Sequence, residues 1–245
     1  MMITNERTIV FSTKHQVTMK DQITPDMGKD LVFMDLFQQV SPYTMTSVEA
    51  LFALYTSVNY VIDRQIPGDI VECGVWRGGS ALLAALILKA RNISDRKLYL
   101  YDTFQGMPTP TEFDVDKYGR SGFEMMEQYG DDIGWCYALL EDVKTAFWSH
   151  NFDFEINFVP GDVLETLKTT KPETISVLRL DTDWYESTAF EFQQLYPRLS
   201  TRGVLIIDDY GCWAGSRKAT DDYFREVPAP MLTRIDKEVR LGIKI

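Results

Sequence analysis

Three carboxylates in this chain stand where side chains of their type bind a cation. Asp181 follows the apolar run Ile175–Leu180, and Asp208 and Asp209 follow Gly203–Ile207. Adjacent acids at the end of a buried strand repel each other and need a compensating partner. An all-oxygen set suits a hard ion, and Mg²⁺ leaves positions open for water or a substrate hydroxyl. A bland reading is also available. Both segments could be helix-capping turns, and Thr188-x-x-Glu191 has the spacing of a capping box. That accounts for Thr188 and Glu191 but not for three acids.

A second constellation is Val71-Glu72-Cys73-Gly74-Val75-Trp76-Arg77-Gly78-Gly79-Ser80. A strand ends beside an acid, a glycine turn follows, and a helix starts near Ser80. Glycines such as Gly74 and Gly78 let a backbone approach a ligand closely. The spacing is Gly-x-x-x-Gly-Gly rather than the Gly-x-Gly-x-x-Gly of dinucleotide binders. S-adenosylmethionine, which carries no pyrophosphate, fits that departure. Glu72 could meet its ammonium group and the turn amides its carboxylate. Asp102, at the next strand end, could take both ribose hydroxyls, and Asp162 the adenine amino group. The structural alternatives are a tight turn with Ser80 as N-cap, a turn-forming Asp102, and Asp162 as N-cap of the next helix.

The elements that must position these groups alternate. Helical spacing runs through Lys29–Val40 and Ser47–Val61, after an irregular polar lead over residues 1–30. Beyond Ile66-Pro67-Gly68, strands are expected at Asp69–Cys73, Lys97–Tyr101, Glu155–Pro160, Ile175–Leu180 and Gly203–Ile207. Helices are expected at Ser80–Lys89, Val163–Thr169, Thr188–Leu195 and Gly215–Arg225, with Gly122–His150 mostly helical and Phe104–Tyr118 a long loop. Met231–Ile235 and Val239–Ile245 read as a closing hairpin. Alternation of this kind implies an α/β fold, a mostly parallel sheet with helices on both faces and one antiparallel strand.

Composition narrows the partners. The 245 residues carry a formal net charge of −11, which argues against nucleic acid and anionic membranes, since both need basic tracks. Cys73, Cys136 and Cys212 lack metal-ligand spacing and read as reduced thiols of a cytoplasmic protein. The start, Met1 to Arg7, is polar and unlike a signal peptide, and the apolar run Ala81–Leu88 is too short to span a bilayer. His15 and His150 lack a ligand partner at a recognisable spacing. The expected partner is a small-molecule hydroxyl acceptor, and a homo-oligomer is compatible with the sequence.

Four stretches together resemble the macrocin O-methyltransferase family: Pro67–Ser80, Tyr101–Pro108, Asp181–Thr188 and Ile207–Gly211. The resemblance runs in order from about Thr44 to the C-terminus. It implies a class I methyltransferase (Rossmann-like) fold. Residues 1–66 would be a lead and helical lid, and 67–245 the S-adenosylmethionine-binding domain. Tyr43, Thr44 and Met45 would cover the donor. It implies Mg²⁺ on Asp181, Asp208 and Asp209, a general base at Asp183, and donor contacts at Glu72, Gly74, Ser80, Asp102 and Asp162. Ala50 stands where many members carry a basic residue. The expected reaction is O-methylation of a sugar hydroxyl on a natural product. Two alternatives stay open: a catechol-like phenolic acceptor, and metal-dependent glycosyl transfer through Asp181-Thr182-Asp183.

Overall fold

The structure, a computed structural model, describes residues 23–133 and 136–245. Most of the expected irregular lead, and His15 with it, lies outside the described residues. Among the described residues, seven strands form one sheet: β1 (Asp69–Cys73), β2 (Leu98–Asp102), β3 (Ile156–Pro160), β4 (Ile175–Leu180), β5 (Leu199–Ile207), β6 (Thr233–Arg234) and β7 (Arg240–Ile243). Their order is β3-β2-β1-β4-β5-β7-β6. The first five run parallel, and β7 lies antiparallel to β5, paired in turn with β6. Strand order reverses between β1 and β4, so a crevice opens there at the carboxyl ends.

The helices are α1 (Leu31–Val40), α2 (Val48–Asp63), α3 (Gly79–Ala90), α4 (Gly122–Ile133), α5 (Leu140–Trp148), α6 (Val163–Thr169), α7 (Tyr185–Leu195) and α8 (Ala214–Glu226). They cover both faces of the sheet. On one face Leu51, Val58, Leu83, Ile87 and Phe147 pack against Ile70, Leu100, Val177, Val204 and Ile206. On the other, Leu167, Phe192 and Leu195 pack against Val71, Tyr101, Leu178 and Ile207. Burial on both faces is why the central strands read as near-continuous apolar runs. Buried Phe33, Phe37 and Val48 place α1 and α2 in the same core as the sheet. Only the connection between these two helices, around residues 43–46, reaches the crevice.

Most element boundaries fall within two residues of the sequence reading, and three depart further. The stretch expected to be helical over Gly122–His150 is two helices, α4 and α5, with residues 137–139 outside both. Strand β5 starts at Leu199 rather than Gly203, across Arg202 in the left-handed region (φ 69°) and a register shift. Helix α7 starts at Tyr185, with Trp184 as an N-cap that makes no side-chain cap bond. Thr188 is therefore inside the helix, its N–H bonded to Trp184 O, and the Thr188–Glu191 capping box does not form.

Candidate active site

The β-ladder bonds continue one residue past the strand ends and set the crevice lip. Gly74 N–H donates to Tyr101 O, Asp181 N–H to Cys73 O, and Asp208 N–H to Leu180 O, at 2.8, 2.8 and 2.9 Å. Gly74 has φ 82°, and a Cβ there would lie 1.8 Å from the Asp181 carbonyl oxygen. Glycine is required because the backbone of the Asp181 turn packs against it. Gly78 serves another purpose. It caps α3 in the left-handed region, and a Cβ would meet Val143 and Phe147 of α5. It is not on the crevice wall.

The crevice has a volume of about 400 Å³, lined by Tyr43–Thr46, Gly74–Trp76, Ser80, Asp102, Asp162, the acids Asp181, Asp183, Asp208 and Asp209, and a loop including Asp116–Tyr118. Asp102 holds the glycine turn. Its Oδ2 accepts from Val75 N–H and Trp76 N–H at 2.7 and 2.8 Å, and its Oδ1 from Phe104 N–H at 2.7 Å. A carboxylate offers about four acceptor sites, so room remains for about one ribose hydroxyl rather than the two expected. Asp162 is the N-cap of α6, accepting from Leu164 N–H at 2.9 Å, and also lines the crevice.

Strand alternation puts Glu72, Arg179, Asp181 and Asp208 on the α2–α3 face of the sheet. Glu72 and Arg179 are register neighbours across β1 and β4. Arg179, at 2% exposure, is the residue the sequence reading missed. Its Nη1 donates to Glu72 Oε1 at 2.7 Å and Asp181 Oδ2 at 2.6 Å. Its Nη2 donates to Asp208 Oδ1 at 2.6 Å and Thr46 Oγ1 at 2.9 Å. The signal was one charge in the apolar run Ile175–Leu180. A buried guanidinium needs acids around it. Glu72 also accepts from the Ser80 hydroxyl. Both bonds fall on Oε1, and Glu72 is not among the residues that line the crevice.

Asp181, Asp208 and Asp209 each present a carboxylate oxygen within 4.8 Å of the others. Asp183 stands next to them, left-handed at φ 63°, its N–H donating to Asp209 Oδ2 at 3.1 Å. Burial raises all four carboxyl pKa values, those of Asp181, Asp183 and Asp209 well above the usual range. Arg179 opposes the rise at Asp181 and Asp208. For Asp183 the charges of Asp181 and Asp208 add to the rise, while hydrogen bonds to Asp209 and Trp213 oppose it. One guanidinium does not balance this many acids. The donor set therefore fits a hard divalent cation. The thiols of Cys136 and Cys212, also on the wall, are pushed up by burial and nearby acids, Cys212 to about 12. Neither they nor His150, whose carbonyl accepts from Lys89, join the cluster.

The loop facing the acids is pinned by two further aspartates. Buried Asp114 accepts from Thr111 N–H and Oγ1–H at 2.6 and 2.8 Å and from Tyr185 N–H at 2.7 Å. Asp116 accepts from the Tyr118 and Arg120 amides and pairs with the Arg120 guanidinium at 2.7 Å. The spacing Asp114-Val115-Asp116 could have flagged them.

A family profile for Macrocin-O-methyltransferase (TylF) matches residues 3–240. Demethyldecarbamoylnovobiocin O-methyltransferase of Streptomyces niveus is 36% identical over 182 residues, 74% of this chain and 67% of that one. The 8-demethyl-8-(2,3-dimethoxy-alpha-L-rhamnosyl)-tetracenomycin-C 4'-O-methyltransferase of Streptomyces olivaceus is 35% identical over the same shares. The solved O-methyltransferase NovP superposes with a TM-score of 0.72 and 34% identity, covering 82% of each chain. Crevice, acid cluster and these likenesses agree: the chain is a class I methyltransferase and belongs to the macrocin O-methyltransferase family.

Proposed function

We propose that the chain transfers the methyl group of S-adenosylmethionine to a sugar hydroxyl of a glycosylated natural product, with Mg²⁺ held by Asp181, Asp208 and Asp209. The observation that carries this reading is the meeting, in one crevice, of the Gly74–Trp76 turn and three carboxylates within 4.8 Å. The names of the relatives, one of them acting on a rhamnosyl group, support a sugar acceptor. Family membership removes glycosyl transfer through Asp181-Thr182-Asp183 as a reading of the site.

The chemistry asked of the protein is limited, because the sulfonium methyl is already activated. The cation, when bound, lowers the pKa of the acceptor hydroxyl. Asp183 takes the hydroxyl proton as the oxygen–methyl bond forms and the methyl–sulfur bond breaks. Burial and the charges of Asp181 and Asp208 raise its pKa, which makes it a stronger proton acceptor than an ordinary carboxylate. The Val75 and Trp76 amides, fixed by Asp102, set the donor's place, and Asp162 borders the adenine end. Tyr43–Thr46 closes over the donor and keeps water from the sulfonium. Bringing oxygen, methyl and sulfur into line supplies much of the rate.

A screen of glycosides and catechols with labelled methyl donor, with and without chelator, tests the proposal. Transfer to a glycoside hydroxyl that stops in chelator and returns with Mg²⁺ is expected. Transfer only to catechols overturns the sugar assignment, and full turnover in excess chelator overturns the metal.

A further inference from the structure

Arg179 joins more parts of the site than any acid does. Each of its terminal nitrogens makes two contacts, one set on Glu72 and Asp181, the other on Asp208 and Thr46. Only one oxygen of Asp181 (Oδ2) and one of Asp208 (Oδ1) bond to it. The other oxygen of each makes no bond to the guanidinium. Arg179 thus acts from behind the acids, on the sheet side, and a cation can sit in front. Its fourth partner lies outside the sheet: Thr46 is in the connection between α1 and α2 that lines the crevice.

That connection is fixed at its other contacts too. A Cβ on Gly79 would meet Thr44 Cβ at 2.7 Å and the Tyr43 carbonyl at 2.8 Å, so the segment rests directly on the start of α3. Thr46 N–H donates to Thr44 Oγ1 at 3.0 Å. Ser47, the N-cap of α2, bonds to Asp236 in the turn of the closing hairpin. The Thr46–Arg179 bond at 2.9 Å ties it, through the guanidinium, to two candidate cation ligands.

We propose that Arg179 is the positioning residue that couples the two halves of the site. Its planar fork holds Asp181 and Asp208 in the geometry a cation needs. Through Thr46 it ties that geometry to the segment covering the donor, so binding of donor and of divalent cation reinforce each other. A lysine ammonium is a point donor and cannot span Glu72, Asp181, Asp208 and Thr46 at once. This inference rests on the cation reading above. Its rival is an Arg179 that stands in for the missing charge and is displaced when a cation arrives.

Calorimetry on the full chain separates them, with MgCl2 titrated in the absence and presence of saturating adenosylhomocysteine. In the wild type, adenosylhomocysteine is expected to tighten Mg²⁺ binding about fivefold or more. Thr46→Val, which keeps the side-chain shape and removes the hydroxyl, should reduce that factor below about twofold. Arg179→Met should weaken Mg²⁺ by about tenfold or more, with Arg179→Lys failing to restore it. In turnover, Thr46→Val should raise the Mg²⁺ concentration needed for half-maximal rate. Wild-type coupling in Thr46→Val overturns the proposal even if Arg179→Met does not fold. Mg²⁺ binding tighter in Arg179→Met than in wild type favours displacement and overturns it as well. A wild type that binds Mg²⁺ without coupling overturns this inference alone, and one that takes up no divalent cation overturns the cation reading with it.

Discussion

Asp183 donates its backbone N–H to Oδ2 of Asp209 at 3.1 Å. The candidate base and a candidate cation ligand are thereby held by each other across the ends of β4 and β5. The left-handed backbone of Asp183 (φ 63°) makes this bond possible, and such strain persists only where the surroundings over-determine it. Asp183→Asn keeps the amide and the turn but removes the proton acceptor. We expect kcat to fall by roughly 10²–10⁴, with Mg²⁺ and adenosylhomocysteine affinities near wild type. Near-wild-type kcat at saturating Mg²⁺ would take the role of base away from Asp183.

Asp181→Asn and Asp208→Asn each remove a carboxylate that also faces Arg179. Mg²⁺ affinity is expected to fall by roughly tenfold or more in either variant, and activity should require higher Mg²⁺. Far-UV circular dichroism should stay that of the wild type. Unchanged Mg²⁺ affinity in both would remove the cluster from metal binding.

Asp102→Ala removes the acceptor for the amides of Val75, Trp76 and Phe104 together. The glycine turn then loses its fixed shape as well as any ribose contact. Adenosylhomocysteine should bind more weakly by roughly 2–4 kcal/mol, and Asp102→Asn, which keeps one acceptor oxygen, should recover part of this. Calorimetry that finds equal affinity in all three proteins would return Asp102 to an ordinary turn residue.

Glu191 is fully buried on α7, with Oε2 accepting from the Thr182 hydroxyl at 3.1 Å and Oε1 unpartnered. Burial raises its pKa to about 8 from an ordinary 4.5. Below the ordinary value the folded and unfolded chains both hold the proton. As pH rises towards 8 the unfolded chain releases it first, so stability declines across that window and levels off above it. Glu191→Gln cannot ionise. The variant should gain on the wild type by roughly 3–5 kcal/mol between pH 5 and pH 8, read from urea unfolding at several pH values. Parallel pH profiles for the two proteins would contradict a protonated Glu191.

Much of the fold and part of the site are legible in the order of the residues alone. The central strands are buried on both faces, so their apolar runs stand out, and acids directly after them have to fall on one edge of the sheet. The hairpin at the end places its antiparallel strand as its spacing implies. Harder to read are features that depend on which neighbour arrives from elsewhere. Arg179 is paired by residues from β1, β5 and the α1–α2 connection, far apart in the chain. Gly78 is explained by its left-handed backbone and by Val143 and Phe147 on α5. Thr188 and Glu191 have a cap's spacing, but α7 begins a turn earlier because Tyr185 N–H finds its acceptor in Asp114, 71 positions upstream. Local pattern competes poorly with a partner supplied by the fold.

The Asp114 anchor also bears on how this scaffold could be re-engineered. Its carboxylate joins Thr111 to the first amide of α7, and a Cβ on Gly215, at the start of α8, would lie 1.8 Å from Asp114 Oδ1. The loop over residues 111–121 is clamped by Asp114 and again by Asp116, while Lys117 and Tyr118 stand on the crevice wall. Loop exchange with a relative should therefore retain Asp114 and Gly215 and vary only the stretch beyond the clamp. A graft cut inside it would unseat the start of the helix that follows Asp181-Thr182-Asp183, so a change meant for substrate scope would reach the chemistry.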